Sequence, residues 1–333
     1  MKIAVVGNYT WVHYQQALLD GFRSLSESSD SFPIKIKYFP CWNIIGIGYN
    51  TVKLWKSVKT GVPDALFLYR VDSLFPCVLA WIKRKFKTKI IVYHNDDPYN
   101  KTLHRPYKHR LFLKSLKYSD ITYVYREVNL LEAKDLGAHH VKLLRSYYYS
   151  KLDILSQSIP FEQKKPYIVF IGHYEDDSRI QYLSALFQAS INVHVYGSDA
   201  WRNAFEKHKW PMSHLHGPLY GQEYRACLNS AYAALAFYSL KNRDDYTRRC
   251  FEIPMAKTLL FAPRTAYMCK TFVDGQNAML FSSIEEMVQK AKEILNNPRQ
   301  TEIMSIEGYN LILHGGFSEC DAASRIVSDI NEL

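Results

Sequence analysis

Residues 242–254 read NRDDYTRRCFEIP, and they lead directly into the nearly uncharged run MAKTLLFAP. Charge of both signs is crowded here: Arg243, Arg248, Arg249, Asp244, Asp245 and Glu252. The plain reading is a solvated helix face, since Arg248 and Glu252 lie four apart and such pairs add a few tenths of a kcal/mol to a surface helix. Pro254 argues against a long surface helix, because it lacks a backbone donor and crowds the carbonyl of Cys250 four residues back. The helix is therefore expected to be short or kinked. Its first turn, near Thr247–Arg249, would present free amides and the positive end of the helix dipole, with forked arginine donors beside them for phosphate oxygens. One turn on, the Glu252 carboxylate can accept from two vicinal hydroxyls. A diphosphate followed by a ribose is what this spacing would hold.

Other stretches offer chemistry on weaker terms. GNYTWVHY (7–14) follows the first strand without the three spaced glycines of a dinucleotide site, which argues against an NAD enzyme. His13 within it is a candidate to take a proton from a hydroxyl nucleophile, with capping or packing as the plainer role. HNDDPYN (94–100) places Asp96 and Asp97 at the end of an apolar run, where adjacent carboxylates suit a base or a metal; Asp-Asp-Pro is also an ordinary turn opener. YEDDSR (174–179) has no further clustered ligand and supports no metal site. HGPLYGQEY (216–224) reads as a tight loop between strand and helix, whose backbone can approach a planar ligand such as a nucleobase, or simply turn.

These residues need elements to place them. KIAVVG opens the chain as a strand ending in glycine, and a helical pattern follows from about His13 to Leu25. Apolar runs then recur between helical patterns: ALFLY (65–69), KIIVYH (89–94), ITYVY (121–125) and VKLL (141–144). Strands spaced by helices predict a parallel sheet. The polar stretch 150–165 is the linker candidate. The alternation restarts with YIVFIG (167–172), INVHVYG (191–197), YAALAFY (232–238) and TLLFA (258–262), and the chain ends in helices from about Ile284. The expectation is an α/β protein of two Rossmann-like domains, residues 1–155 and 156–333, with the last helix able to cross back to the first. Ligands of open parallel sheets bind beyond the carboxyl ends of the strands, so two such sheets facing one another predict a cleft.

Size and composition agree. A chain of 333 residues, 47% of them hydrophobic, is too long for one comfortable core. MKIAVVGNY holds only a short apolar stretch, and no later uncharged run approaches the roughly 18 residues needed to span a bilayer. A soluble, cytoplasmic protein is expected. The six cysteines have no paired short spacing, which predicts reduced and mostly buried thiols. The formal charge of +10 points to an anionic partner. Much of that charge lies in WIKRKFKTK (81–89) and from Lys101 to Lys117, either as a solvated face or as a contact with a membrane surface or polyanion.

NRDDYTRRCFEIP resembles the donor-binding motif of bacterial glycosyltransferases similar to the spore-maturation-protein group, which have the two-domain GT-B fold. HNDDPYN resembles that group's DDP motif, and YSDITYVYREVNLLEAKDLGAHHVKLL resembles the group's next segment. VFIGHYEDDSR and HLHGPLYGQEY resemble the donor-domain motifs, and FVDGQNAMLFSSIEEMVQKAKEILNNP the closing helical region. The resemblance covers most of residues 90–330. It departs at MAKT, where Met255 and Lys257 replace residues that are usually small before a glycine; Lys257 there either reaches the donor phosphates or faces solvent.

The resemblance implies a glycosyltransferase that moves a sugar from a nucleotide diphosphate sugar, with UDP as nucleotide, to a hydroxyl of a glycan or lipid-linked glycan in surface-polysaccharide synthesis. No cofactor or metal is implied, since arginines and helix dipoles neutralise the leaving diphosphate. The donor residues it implies are Asn242, Arg243, Asp244, Thr247, Arg249 and Glu252, with Arg243, Arg249 and Arg179 toward the phosphates and Glu252 on the ribose. Gly172, His216, Gly217 and Tyr220 fall at the base end, and Asp96, Asp97 and His13 on the acceptor side. An acceptor carried at an anionic inner membrane face suits the basic first domain, giving a cytoplasmic, peripheral protein for which nucleic acid is not the expected partner. Rival readings are a nucleotide-sugar epimerase of the same fold and a non-catalytic nucleotide-sugar-binding or DNA-associated protein.

Overall fold

The computed structural model describes residues 1–100 and 108–333. Its chain divides into two compact units, Met1–Tyr147 with Ser318–Leu333, and Tyr148–Phe317. Each is built on one six-stranded sheet in which every pairing is parallel. Among the described residues no helix is long and apolar enough to cross a membrane.

The first sheet has the order β2-β1-β3-β4-β5-β6, from β1 (Ile3–Gly7), β2 (Phe32–Lys35), β3 (Ala65–Tyr69), β4 (Lys89–His94), β5 (Ile121–Val124) and β6 (His140–Leu143). Its central strands are continuous apolar runs because helices cover both faces. Tyr69, Tyr93 and Tyr123 stand in register on β3, β4 and β5, each buried. The Tyr123 hydroxyl donates to Asp329 Oδ2 at 2.5 Å, and Lys142 Nζ reaches Asp329 Oδ1 at 2.6 Å. Those bonds fasten the last helix, Glu319–Asn331, to this unit. A capping box between Ser318 and Asp321 starts that helix, and Lys89 Nζ donates to the Ile330 carbonyl near its end (2.7 Å). The helix packs on the first helix, Gln15–Ser24, where a Cβ added at Gly21 would lie 2.4 Å from the Glu319 carbonyl oxygen. That first helix starts at Gln15 rather than His13, because residues 11–14 form a turn closed by Tyr14 N–H to the Trp11 carbonyl (3.1 Å).

The second sheet has the order β12-β11-β10-β7-β8-β9, from β7 (Lys165–Ile171), β8 (Val193–Tyr196), β9 (Leu215–His216), β10 (Ala231–Leu235), β11 (Leu259–Pro263) and β12 (Met279–Phe281). Its core gathers Phe170, Trp201, Phe205, Phe261 and Phe281 with aliphatic partners. Entry and exit of the chain are tied by Tyr148 N–H to the Phe317 carbonyl (2.9 Å). The stretch read as a linker from 150 to 165 belongs to this unit; it carries the short helix Ser150–Asp153, whose Asp153 is buried.

Two compositional expectations change. Of the six free cysteines only Cys250 is buried, and Cys77 and Cys269 are exposed, so burial does not account for their placement. The basic stretch 81–89 is largely occupied within its own unit. Lys83 pairs with Asp120 at 2.6 Å, Lys85 lies over the rings of Trp55 and Trp81, and Lys89 caps the last helix. Of the second basic stretch, residues 101–107 lie outside the described residues.

Gly21→Ala should destabilise the protein by about 1–3 kcal/mol, the range for forcing volume into a close helix contact. Urea unfolding checks this. An unchanged midpoint would mean that the two terminal helices separate without cost.

Candidate functional site

In the second unit NRDDYTRRCFEIP becomes a turn and the helix Arg249–Met255, with Pro254 inside its last turn. The helix is short, as the proline requires. Its amides are not free, contrary to expectation. Arg249 N–H donates to Thr247 Oγ1 (3.2 Å), Cys250 N–H to the Thr247 carbonyl (3.0 Å), and Phe251 and Glu252 N–H to the Arg248 carbonyl (2.9 and 3.1 Å). Anion binding here therefore rests on side chains.

Arg248 points inward and is buried. Its guanidinium bonds Asp153 on one side and the Glu252 carboxylate on the other. The surface pair that the four-residue spacing suggests is thus one half of a buried chain of charges, closed by Tyr149 N–H donating to Asp153 (2.7 Å). The other oxygen of Glu252 accepts from the Tyr224 hydroxyl at 3.1 Å. Burial raises the Tyr224 pKa against the opposing pull of Arg249 and Arg248, so it stays a neutral donor. A carboxylate has about four lone-pair sites, and these two partners leave room for vicinal hydroxyls while fixing the group's orientation. Arg249, half-buried, lies near the Tyr224 hydroxyl and keeps a buried Nε without an acceptor.

The remaining donor candidates sit on neighbouring loops. Arg243 has φ of 51°, and the turn around it is closed by Arg243 N–H to the Leu240 carbonyl and Asp244 N–H to the Ser239 carbonyl. Asn242, Asp244 and Thr247 are half-buried in the same turn. Arg179 is spent locally: it makes a forked contact with Asp177 (2.7 and 3.0 Å), donates to the His173 carbonyl (2.8 Å) and lies 3.5 Å from Glu175. It braces the loop after β7. Gly172 ends that strand under close contact, its carbonyl accepting from Trp201 Nε1 (2.9 Å) and lying 2.5 Å from where a Cβ at Gly197 would be. Gly217 has open space around it and Tyr220 is exposed. His216 stacks on Tyr196 and shares a hydrogen bond with His194 Nδ1 (2.8 Å). Burial, with His214 and His216 close by, pushes the His194 pKa down to about 4.

Lys257 has partners within its own unit. Its ammonium lies over the Tyr309 ring and 3.3 Å from Ser158 Oγ. Its φ of 51° lies in the left-handed region, which is the backbone reason a glycine suits this place.

In the first unit the acceptor-side candidates lie beyond the carboxyl ends of β1 and β4. Asp97 is buried and accepts from Asn129 Nδ2 (3.0 Å) and Tyr99 N–H (3.3 Å), which makes it a loop anchor. Asp96 pairs with Arg70 (2.6 Å) and Lys108 (3.5 Å); burial opposes ionisation, but His94 and these cations hold its pKa below the usual carboxylate range. His13 is half-buried with its ring against Tyr14.

Sequence reasoning missed the support of this loop. Asp72, His94 and His109 form a buried group, with His94 Nε2 3.2 Å from Asp72 Oδ2 and His109 Nδ1 2.9 Å from Asp72 Oδ1. His94 Nδ1 accepts from Asp96 N–H (3.1 Å), so its proton is on Nε2 and the chain of bonds is complete. The three ligand atoms lie within 4.8 Å of one another, so the group suits a metal ion as well as a chain of hydrogen bonds. Burial alone would raise the Asp72 pKa; the two histidines hold it well below the carboxylate range. Burial lowers the His94 pKa. Asp153 and Tyr224 were missed too, since nothing local in a sequence pairs Asp153 with a residue 95 positions away.

Two parallel six-stranded sheets in an α/β chain are consistent with two Rossmann-like domains, and solved structures of the GT-B type share this architecture. Residues 179–317 match the family described as Glycosyl transferase-like. The match is at the level of that broad family. Sucrose-phosphate synthase from Thermosynechococcus elongatus superposes with a TM-score of 0.72 at 10% identity, over 100% of this chain and 98% of that one. HepE from Anabaena, solved with UDP and glucose, gives 0.68 at 10% identity with both chains covered completely. A putative UDP-N-acetylglucosamine 2-epimerase from Listeria monocytogenes gives 0.58 at 11% identity, over 100% and 96%. No curated protein sequence matches. Residues 179–317 thus carry a Glycosyl transferase-like domain, on a fold that transferases and an epimerase share.

Arg248→Ala leaves the buried Asp153 and the half-buried Glu252 without their cation and should cost about 3–5 kcal/mol in urea unfolding, whereas Arg249→Ala should stay within about 1 kcal/mol. Equal effects would remove the distinction between inward and outward arginine. A second expectation concerns acid. With the folded His94 pKa below its unfolded value, the unfolded chain binds a proton that the folded chain refuses, so stability falls as pH drops below about 6.5. Asp72 adds a further loss only below about 3.8, its unfolded value. The slope of unfolding free energy between pH 7 and 5.5 should be shallower in His94→Gln than in the wild type; parallel slopes would count against it.

Proposed function

We propose that this protein transfers a sugar from a nucleotide diphosphate sugar, with UDP as the nucleotide, to a hydroxyl of a glycan or lipid-linked glycan in bacterial surface-polysaccharide synthesis (lipopolysaccharide O-antigen or capsule), working in the cytoplasm at the inner membrane face. The observation that carries this reading is the Glu252 carboxylate, oriented by Arg248 and by Tyr224, with Arg249 close to that same tyrosine. HepE, of similar fold, binds UDP and glucose, which supports a uridine nucleotide here.

In the reaction the bond between the anomeric carbon and the diphosphate oxygen breaks, and the acceptor oxygen forms a new bond to that carbon. The diphosphate leaves with its negative charge, and the acceptor hydroxyl loses its proton. Arg249, with Arg243 in the adjoining turn, meets the growing diphosphate charge, a role that needs no metal. Glu252 holds the ribose, while His216, Gly217 and Tyr220 form the base end with Gly172 beneath. On the acceptor side, Asp97 positions the loop from within and Asp96 is committed to Arg70, which leaves His13 as the group to take the proton.

The test is a donor screen reading nucleotide release with and without glycan acceptor. UDP-sugar turnover that requires acceptor, persists in excess chelator and falls strongly in His13→Ala is expected. Donor affinity in Glu252→Gln should weaken by about 1–2 kcal/mol by calorimetry, the scale of a charged hydrogen bond made neutral. Interconversion of nucleotide sugars without acceptor would replace this reading with an epimerase, and manganese-dependent activity would return Asp96 and Asp97 to metal ligation.

A further inference from the structure

The helix Ile44–Thr60 of the first unit is apolar on two faces. One is accounted for: Ile47, Leu54 and Val58 are buried in the core. The other is open to solvent. Trp42 is 77% exposed, Ile44 67% and Ile45 87%, and Tyr49 and Val52 each remain more than half exposed. At 100° per residue Ile45, Tyr49 and Val52 fall on one stripe, and that stripe continues into Lys56 and Lys59. Scattered single apolar residues on a surface need no explanation, but a contiguous set of this kind marks a contact surface.

The tip that carries this set is firmly mounted. Asn43 caps the helix by accepting from Gly46 N–H at 2.8 Å. Gly46 packs so closely that a Cβ would lie 2.4 Å from the Phe39 ring. Phe39 exchanges two hydrogen bonds with Ser73 (2.9 and 2.8 Å), and Asn50 bonds the Lys37 and Ser73 carbonyls (2.6 and 3.1 Å). The exposed side chains are held outward by a braced backbone.

Charge selects the occupant. Residues 31–63 contain five lysines and no aspartate or glutamate, so the charged residues that this segment itself brings to the apolar tip are all basic. A second copy of this chain would set those lysines against one another. An apolar tip with tryptophan and tyrosine at its base and lysines a few turns above matches the layers of an anionic bilayer surface: acyl chains, interface, headgroups. We infer that Trp42–Val52 docks this protein on an anionic phospholipid bilayer, with Ile44 and Ile45 entering deepest and Lys53, Lys56 and Lys59 at the headgroups. The inference rests on the proposed lipid-linked acceptor, and it moves the membrane contact from the internally paired 81–89 stretch to this helix.

The test uses the full chain with sedimenting vesicles of phosphatidylcholine, alone or with about 30% phosphatidylglycerol. Neither donor nor acceptor is present, so the outcome is independent of catalysis. Binding is expected to the anionic vesicles, weakening with added salt. It should fall by about tenfold or more in the double variant Ile44→Asp, Ile45→Asp, and several-fold in Lys56→Ala, Lys59→Ala. Circular dichroism and donor binding of the variants should match the wild type, which separates lost docking from lost fold. Wild-type protein that ignores anionic vesicles, or aspartate variants that bind as tightly as wild type, would overturn the inference. So would light scattering that shows a dimer broken by the aspartates, since the surface would then belong to a second copy. Vesicle binding without sugar transfer would leave the docking surface standing and remove only the transferase reading.

Discussion

A parallel strand cannot turn back on itself, so each strand of both sheets must be followed by a crossover that returns the chain to the starting edge. That constraint shapes everything else here. The crossovers cover both faces, so central strands such as ALFLY and KIIVYH are apolar at nearly every position. Polar chemistry is pushed to the strand ends, and the candidate residues collect there: His94 at the end of β4 with Asp96 and Asp97 just beyond it, Gly172 beyond β7, His216 at the end of β9, and the turn leading to Glu252 after β10.

A second regularity lies beneath those ends. Three of the candidate loops are held by a buried charged group. Arg248 fixes Glu252 and draws in Asp153; Asp72 fixes His94, which holds the backbone of Asp96; Asp177 fixes Arg179, which holds the loop after β7. Burying ions costs several kcal/mol each and is tolerated only with good geometry, so such groups are weak contributors to net stability. What they provide is placement. A carboxylate with its rotamer fixed by two partners presents its remaining lone pairs in one direction, as pre-organised recognition requires.

The two ends of the chain meet in the first unit. The last helix lies on the first, close enough that Gly21 admits no side chain, and Asp329 ties it to both Tyr123 and Lys142. The unit is therefore incomplete until the final residues are made, while the second unit folds from one continuous segment.

Much of this was legible in the sequence. Apolar runs of strand length separated by helical patterns specify a parallel α/β chain, and the break after β6 signals two units, because burial on both faces leaves no other composition for such strands. Pro254 foretold a short helix, and the Arg248–Glu252 spacing foretold their pairing. The tertiary structure decided the direction of those groups. Whether Arg248 or Arg249 points inward depends on where Asp153 comes to rest, 95 residues away in the chain. Whether Asp97 is a base or an anchor depends on Asn129, and whether Lys83 and Lys89 are free cations depends on Asp120 and the Ile330 carbonyl. Local spacing sets which residues share an element and a face. Burial and partnership are set by segments that approach only after folding, and these decide what an ionisable side chain can do.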